Sequence, residues 1–208
     1  AVDQLLRQAN RAAIQQIAPG TSLDRQVLLI AQDDVNRLVN RIRDRQPYVV
    51  RVLSAANYII GEPCVVAEAD PCIQVYIDAV VNDIIYEENE RLATVTVNLD
   101  DLTNQALVEK LNLLIASLQF RARQDGIVGD SLQIADGRTE ALLAFLVEIK
   151  NLNQPVEIQA IAGADIFAIG PLQVELLLVR NGRVVARTDE LPRLTESDPE
   201  TPDPAATE

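Results

Sequence analysis

Two cysteines, no histidine and 31 carboxylates bound the chemistry this chain can carry. Without histidine the commonest general base and metal ligand is missing. Ser-His and Cys-His nucleophile pairs cannot form within the chain. Carboxylates remain, and several converging on two divalent ions would make a metal-dependent nuclease. The candidates are Glu109, Asp136 and Asp165, with Asn57 standing where a first-strand Asp would be wanted. Cys64 and Cys72 lie close enough in sequence to close a short loop. Two thiolates without histidine fall short of the four ligands zinc takes. Gly126-Ile-Val-Gly129 is a GxxG with no Lys or Ser/Thr at P-loop spacing, so it is read as a helix-ending turn. Arg37, Arg41 and Arg45 recur every fourth residue, with Arg43 and Arg51 near. Asp33, Asp34 and Asp44 dilute that charge, and a solvated helix face is expected. No catalytic, cofactor or metal residue is assigned.

The elements that would position these residues follow from periodicity. Leu5, Leu6, Ala9, Ala13 and Ile17 recur at helical spacing over 3–17. Val27 to Ala31 is a short apolar run, read as a buried strand. Asp33 or Asp34 would cap the next helix, whose apolar face is Val35, Leu38, Val39 and Ile42 and which Pro47 ends. Tyr48 to Ile60 reads as a strand. Ile73–Tyr86 and Arg91–Val97 read as a hairpin turning at Glu87–Glu90. The pattern then restarts. Asp100 or Asp101 would cap a helix bearing Leu107, Leu111, Leu114, Ile115 and Leu118. Ser131–Ala135 is a strand, and Asp136 would cap a helix with Leu142, Phe145, Leu146 and Ile149. Strands follow at 156–162, 172–179 and 183–187, the last two joined by Asn181-Gly182, a strong hairpin signal.

The restart is an internal repeat. Gln46-Pro47 matches Gln154-Pro155, and sixteen residues separate Pro47 from Pro63 as they separate Pro155 from Pro171. Ser54-Ala-Ala-Asn57 faces Ala162-Gly-Ala-Asp165, and Ile73-Gln-Val75 faces Leu172-Gln-Val174. The fold expected is α/β: a tandem duplication of an αβαβββ unit, with mixed sheets covered by helices and parallel strand-helix-strand crossovers. The first repeat would span 1–100 and the second 101–188. One insertion of nine residues, Cys64 to Cys72, distinguishes the copies and carries a cysteine at each end. A bond there would staple the insertion, contributing about 2–3 kcal/mol if unstrained, and would imply an oxidising compartment. A second fold reading takes residues 48–162, three antiparallel strands then helix, strand, helix, strand, as an RNase H-like order.

Net charge is −13, of which Asp189 to Glu208 holds −6. A nucleic-acid binder shows a basic face, so no nucleic-acid partner is expected. No apolar run approaches the ~20 residues that span a bilayer. The absence of Met is read as the mark of a fragment of something longer. The tail over 189–208, rich in acids and proline, buries too little apolar surface to order itself.

The stretch Val49-Val-Arg-Val-Leu-Ser-Ala-Ala-Asn-Tyr-Ile-Ile-Gly-Glu-Pro63 resembles the C-terminal domain of the DUF3084 family, found mainly in cyanobacteria. Ser117-Leu-Gln-Phe-Arg-Ala-Arg123 with Gly126–Gly129, and Gly170-Pro-Leu-Gln-Val-Glu-Leu176, match in the same order. The resemblance covers roughly residues 1–188. It implies a protein with N-terminal transmembrane helices, then a coiled coil, then this domain, and it carries over no catalytic residues. The first helix would then continue the coiled coil and mediate self-association. Two spans with a basic loop inside would put the domain on the periplasmic face of the membrane. The expectation is a non-enzymatic structural or interaction domain of a membrane-tethered envelope protein with protein partners, reaching the membrane only through upstream segments. The alternative is a divergent RNase H-like metal-dependent nuclease.

Overall fold

A computed structural model describes residues 2–17, 20, 22–59, 72–98, 101, 103–152 and 154–191. The chain forms two compact units, residues 1–83 and 84–208.

In the first unit, α1 (Val2–Ile17), β1 (Leu28–Ile30), α2 (Gln32–Arg41), β2 (Tyr48–Ser54) and β3 (Ile73–Val81) follow in order. The sheet order is β1-β3-β2. β1 runs parallel to β3, with Leu28 opposite Ile73. β2 runs antiparallel to it, from Tyr48 opposite Val81 to Ser54 opposite Val75. Ile14 of α1 is buried against Val27, Leu28, Ile73 and Val75, with Ala9 and Ala13 beside it. α2 places Asp33 and Asp34 in its first turn and Arg41 in its last, which complements the helix dipole. It ends before Pro47. A 3₁₀ turn, Ile42–Asp44, and a left-handed Arg45 (φ 63°) redirect the chain into β2.

The second unit contains β4 (Ile84–Tyr86), β5 (Arg91–Val97), α3 (Asn104–Asp125), β6 (Leu132–Ile134), α4 (Thr139–Asn151), β7 (Val156–Ala162), β8 (Ile166–Phe167), β9 (Leu172–Arg180) and β10 (Arg183–Arg187). Its main sheet has the order β10-β9-β7-β5, with β6 also on β9, and β4 pairs with β8. Because side chains alternate along a strand, Val156, Ile158, Ala160 and Ala162 share one face with Leu172, Val174, Leu176 and Leu178. Leu107, Leu114, Leu118 and Ala122 of α3 and Phe145 and Ile149 of α4 pack on that face as one core. Ile161, Leu177 and Val179 form a smaller cluster from the alternate positions.

The duplication is visible in the hydrogen bonds. β6-β9-β7 repeats the order and directions of β1-β3-β2. Leu132-Gln133-Ile134 opposes Leu172-Gln173-Val174 as Leu28-Leu29-Ile30 opposes Ile73-Gln74-Val75. Ala162 opposes Val174 as Ser54 opposes Val75. The N–H of Ala55 donates to Gln74 O (2.8 Å) and that of Gly163 to Gln173 O (3.1 Å). Ile73 N–H donates to Val27 O and Leu172 N–H to Ser131 O.

Several expectations are corrected. β5 does not form a hairpin with the strand before it. It pairs antiparallel with β7, Val97 opposite Val156, so the compact units divide at Asp83/Ile84 and not near Asp100. The strands flanking α2, and those flanking α4, are not parallel neighbours, because β3 and β9 insert between them and take the parallel partner. The RNase H-like order is not formed: the strands of 48–162 are divided among three sheets. α2 begins at Gln32 with Ala31 at its cap position, so neither Asp33 nor Asp34 caps it. Thr103 caps α3, its side chain accepting from Ala106 N–H (3.3 Å), while Asp101 accepts from Asn98 N–H. Asp136 lies in a 3₁₀ turn at φ 54° and does not cap α4. Asp189 and Leu191 belong to the second unit, Asp189 bonded to Arg187 and Leu191 packed on the core. Asp100, Cys64 and residues 192–208 lie outside the described residues.

Candidate functional site

One polar cluster joins β4, β5 and α3. Tyr86, 3% exposed, donates its hydroxyl to Asp125 Oδ2 at 2.6 Å. Arg121, one helical turn before Asp125, donates Nε to the same oxygen at 3.3 Å. Its Nη1 reaches the carbonyls of Arg91 (3.2 Å) and Leu92 (2.9 Å), and its guanidinium carbon lies 5.6 Å from the Tyr86 ring centroid. That distance is within cation–π range. Burial, followed by the bond to anionic Asp125, pushes the Tyr86 hydroxyl well above the usual tyrosine range. The cluster ties the start of β5 to the last turn of α3. Arg121 and Asp125 are spaced to share one helix face.

The GxxG is a turn, as its sequence context predicts. Gly126 ends α3 in the left-handed region (φ 109°), and Ile127 N–H returns to Ala122 O. This conformation favours glycine at a helix C-terminus. Gly129 is needed for a different reason: a Cβ there would meet Ile169 O at 2.2 Å. Val128 N–H donates to Ala168 O (2.8 Å), which docks the turn on the loop after β8.

A second polar cluster joins β9 to the end of β10 and to Arg138 before α4. Glu175 (6% exposed) and Thr188 (0%) are buried. The Thr188 hydroxyl donates to Glu175 Oε2 and accepts from Leu176 N–H (3.0 Å). Arg138 donates to the carbonyls of Ala135 (3.2 Å) and Thr188 (3.1 Å). Burial raises the Glu175 carboxyl, and the charges of Asp136 and Asp189 add to the rise, while the Thr188 bond and Arg138 oppose it. A buried carboxyl with one hydroxyl donor is a structural group whose charge is disfavoured.

The three nuclease candidates are engaged separately. Glu109 accepts from Gln105 on the exposed side of α3 (3.2 Å). Asp165 accepts from Glu88 N–H (3.0 Å) and holds the turn between β4 and β5. Asp136 is exposed in its 3₁₀ turn, and Asn57, the counterpart of Asp165, is exposed. Among the described residues no three acidic or thiol groups stand together as a metal site. In the arginine stripe, Arg37 pairs with Asp34, and Arg51 pairs with Asp78 across β2 and β3.

Sequence reasoning missed Asn10. Its Oδ1 accepts from Val27 N–H (2.9 Å) and Leu28 N–H (3.1 Å), and its Nδ2 donates to Arg25 O (2.7 Å). One amide thus secures the loop entering β1. An Asn within a helical pattern was the only available signal. Asn10 also lines an open cleft of about 450 Å³ in the first unit, with Arg7 and Arg11 of α1 facing Leu23, Arg25 and Val35. That volume is in the small-ligand range. Asp3 bonds Arg7 and offsets its charge.

This is a duplicated α/β domain whose polar clusters bind its own elements together. The chain belongs to the family described as the DUF3084-associated C-terminal helical hairpin, whose model matches residues 86–191. In that span the two helices α3 and α4 lie on one face of a sheet. An uncharacterized protein of Nostoc sp. is 38% identical over 187 residues, 89% of this chain. The chain spans about a third, 35%, of that relative's length. No solved structure matches.

Proposed function

We propose that the chain is a non-enzymatic structural or interaction domain of a longer envelope protein. The observation that carries this reading is the use made of the segments that resemble the family. Arg121, Gly126 and Gly129 hold backbone or allow its close approach, so those segments build a scaffold. The relative's greater length supports a role as one part of a larger protein. The purified chain is expected to turn over neither nucleic acid nor phosphodiester substrates in the presence of Mg²⁺ or Mn²⁺. Specific turnover abolished by Asp165→Asn would overturn the proposal in favour of a nuclease.

The same reading locates the domain on the periplasmic face, tethered through segments outside this chain. The family resemblance supports it, as does the cysteine at each end of the nine-residue insertion in the first copy. Cys72 immediately precedes β3, and the Cys64–Cys72 bond is part of the proposal. Thiol alkylation with and without reductant tests it: two alkylated cysteines before reduction would remove the argument for an oxidising compartment. Self-association through α1 is confined to its first turns. Further along, Ala9, Ala13 and Ile14 are committed to the first unit's own core.

A further inference from the structure

The second unit shows which strands this repeat uses, and the first unit has fewer among the described residues. β7 gives one edge to β9 and the other to β5, over six residue pairs. Val156, Ile158 and Ala160 oppose Val97, Val95 and Ala93 of β5. Ala162 N–H donates to Glu90 O (2.9 Å), and its carbonyl accepts from Asn89 N–H (2.9 Å). β2 is the counterpart of β7, with Tyr48, Val50, Val52 and Ser54 at the positions of Val156, Ile158, Ala160 and Ala162. The phase of the ladder follows from Ala55 N–H donating to Gln74 O. Odd-numbered residues of β2 bond to β3, so these four turn N–H and C=O away from it. Among the described residues β2 has a strand on one edge only.

We propose that this edge pairs with β2 of a second copy of the chain, antiparallel about a two-fold at Val50, joining two three-stranded sheets into one. Exposed edges are ordinarily blunted by lysine, proline or an unpaired inward charge. Tyr48–Ser54 contains no lysine or proline, and its single charge, Arg51, is bonded to Asp78 of its own sheet. The strand is also complementary to itself. A two-fold at Val50 keeps outward-bonding residues opposite one another. It sets Tyr48 against Val52 and Arg51 against Val49, so that an aromatic meets a β-branched residue and no like charges are opposed. Moving the centre to Arg51 would oppose two arginines. An isologous contact of this kind closes as a dimer and leaves no free β2 edge.

The surface is distinct from α1, and the test separates the two. Sedimentation equilibrium on the 208-residue chain over a concentration series is expected to show a species of twice the 22.8 kDa chain mass. Val50→Pro removes one outward N–H while leaving the bonds to β3, and is expected to weaken the dimer at least ~10-fold. Leu6→Glu on α1 is expected to leave the dimer intact. A wild-type chain that stays monomeric to millimolar concentration, a dimer unaffected by Val50→Pro, or one abolished by Leu6→Glu would each overturn the proposal. If Val50→Pro does not fold, amide exchange on the wild type decides. Protection at Val50 and Val52 should rise with concentration, and protection that does not change overturns the pairing.

Discussion

Gly129 illustrates how a weak motif can be strictly required for packing alone. The carbonyl of Ile169 occupies the space a side chain would need. Gly129→Ala is expected to destabilise the second unit by roughly 1–3 kcal/mol, the usual cost of overpacking, with a lower thermal midpoint by circular dichroism as the check. Tyr86 offers a test by pH. Its hydroxyl is raised in the folded state, by burial first and then by Asp125. The folded protein therefore holds that proton when the unfolded chain has released it. The stabilisation is complete below the unfolded value near 10 and falls as pH rises beyond it. Tyr86→Phe should cost about 0.5–1.5 kcal/mol at pH 8. The gap between wild type and variant should narrow above pH ~10 in denaturant titrations. A gap that stays constant to pH 11 would mean the hydroxyl titrates normally.

At the scale of elements, short strands depend on what holds their ends. β1 has three residues and, among the described residues, one strand partner, and the side chain of Asn10 supplies what a longer ladder would. Asn10→Ala leaves two backbone N–H groups and a carbonyl without that partner. The expected loss is about 1–3 kcal/mol, accompanied by faster amide exchange at Val27 and Leu28. Unchanged exchange at those two amides would show that the loop holds itself. β6, the counterpart of β1, is likewise three residues long and also runs parallel to the strand beside it. In each of these two sheets the parallel pair has three residue pairs, and the long antiparallel pair beside it carries most of the ladder.

For the whole molecule, the division at Asp83/Ile84 has a consequence that can be read directly. The second unit's core draws on β5 through Leu92 and Val97. A fragment of residues 84–191 is expected to fold alone with a single cooperative thermal transition. A fragment starting at residue 101 lacks β5, and so exposes the edge of β7 that carries Val156, Ile158 and Ala160. It should melt well below the longer fragment or aggregate. Equal melting of the two would assign β5 to the first unit after all.

The amino-acid sequence by itself determined the order of most elements and the repeat that relates them. Periodicity is local, and so are Pro47 and Pro155, Gly126 and the Asn181-Gly182 turn. The bounds of β5, β7 and β10 could therefore be read without coordinates. Helix caps were less legible, because Asp33, Asp101 and Asp136 are all plausible caps, and the choice fell to Ala31, Thr103 and Arg138 through how each loop arrives. Strand partnership was decided only by the tertiary structure. A run such as Arg91–Val97 has the same alternation whether it pairs with β3 or with β7, and the pairing depends on which edge remains open after the long antiparallel pairs form. The roles of Asn10, Arg121 and Glu175 were hidden for the same reason. Each bonds to groups far away in sequence, and a polar residue shows its partner only when the chain brings the two together.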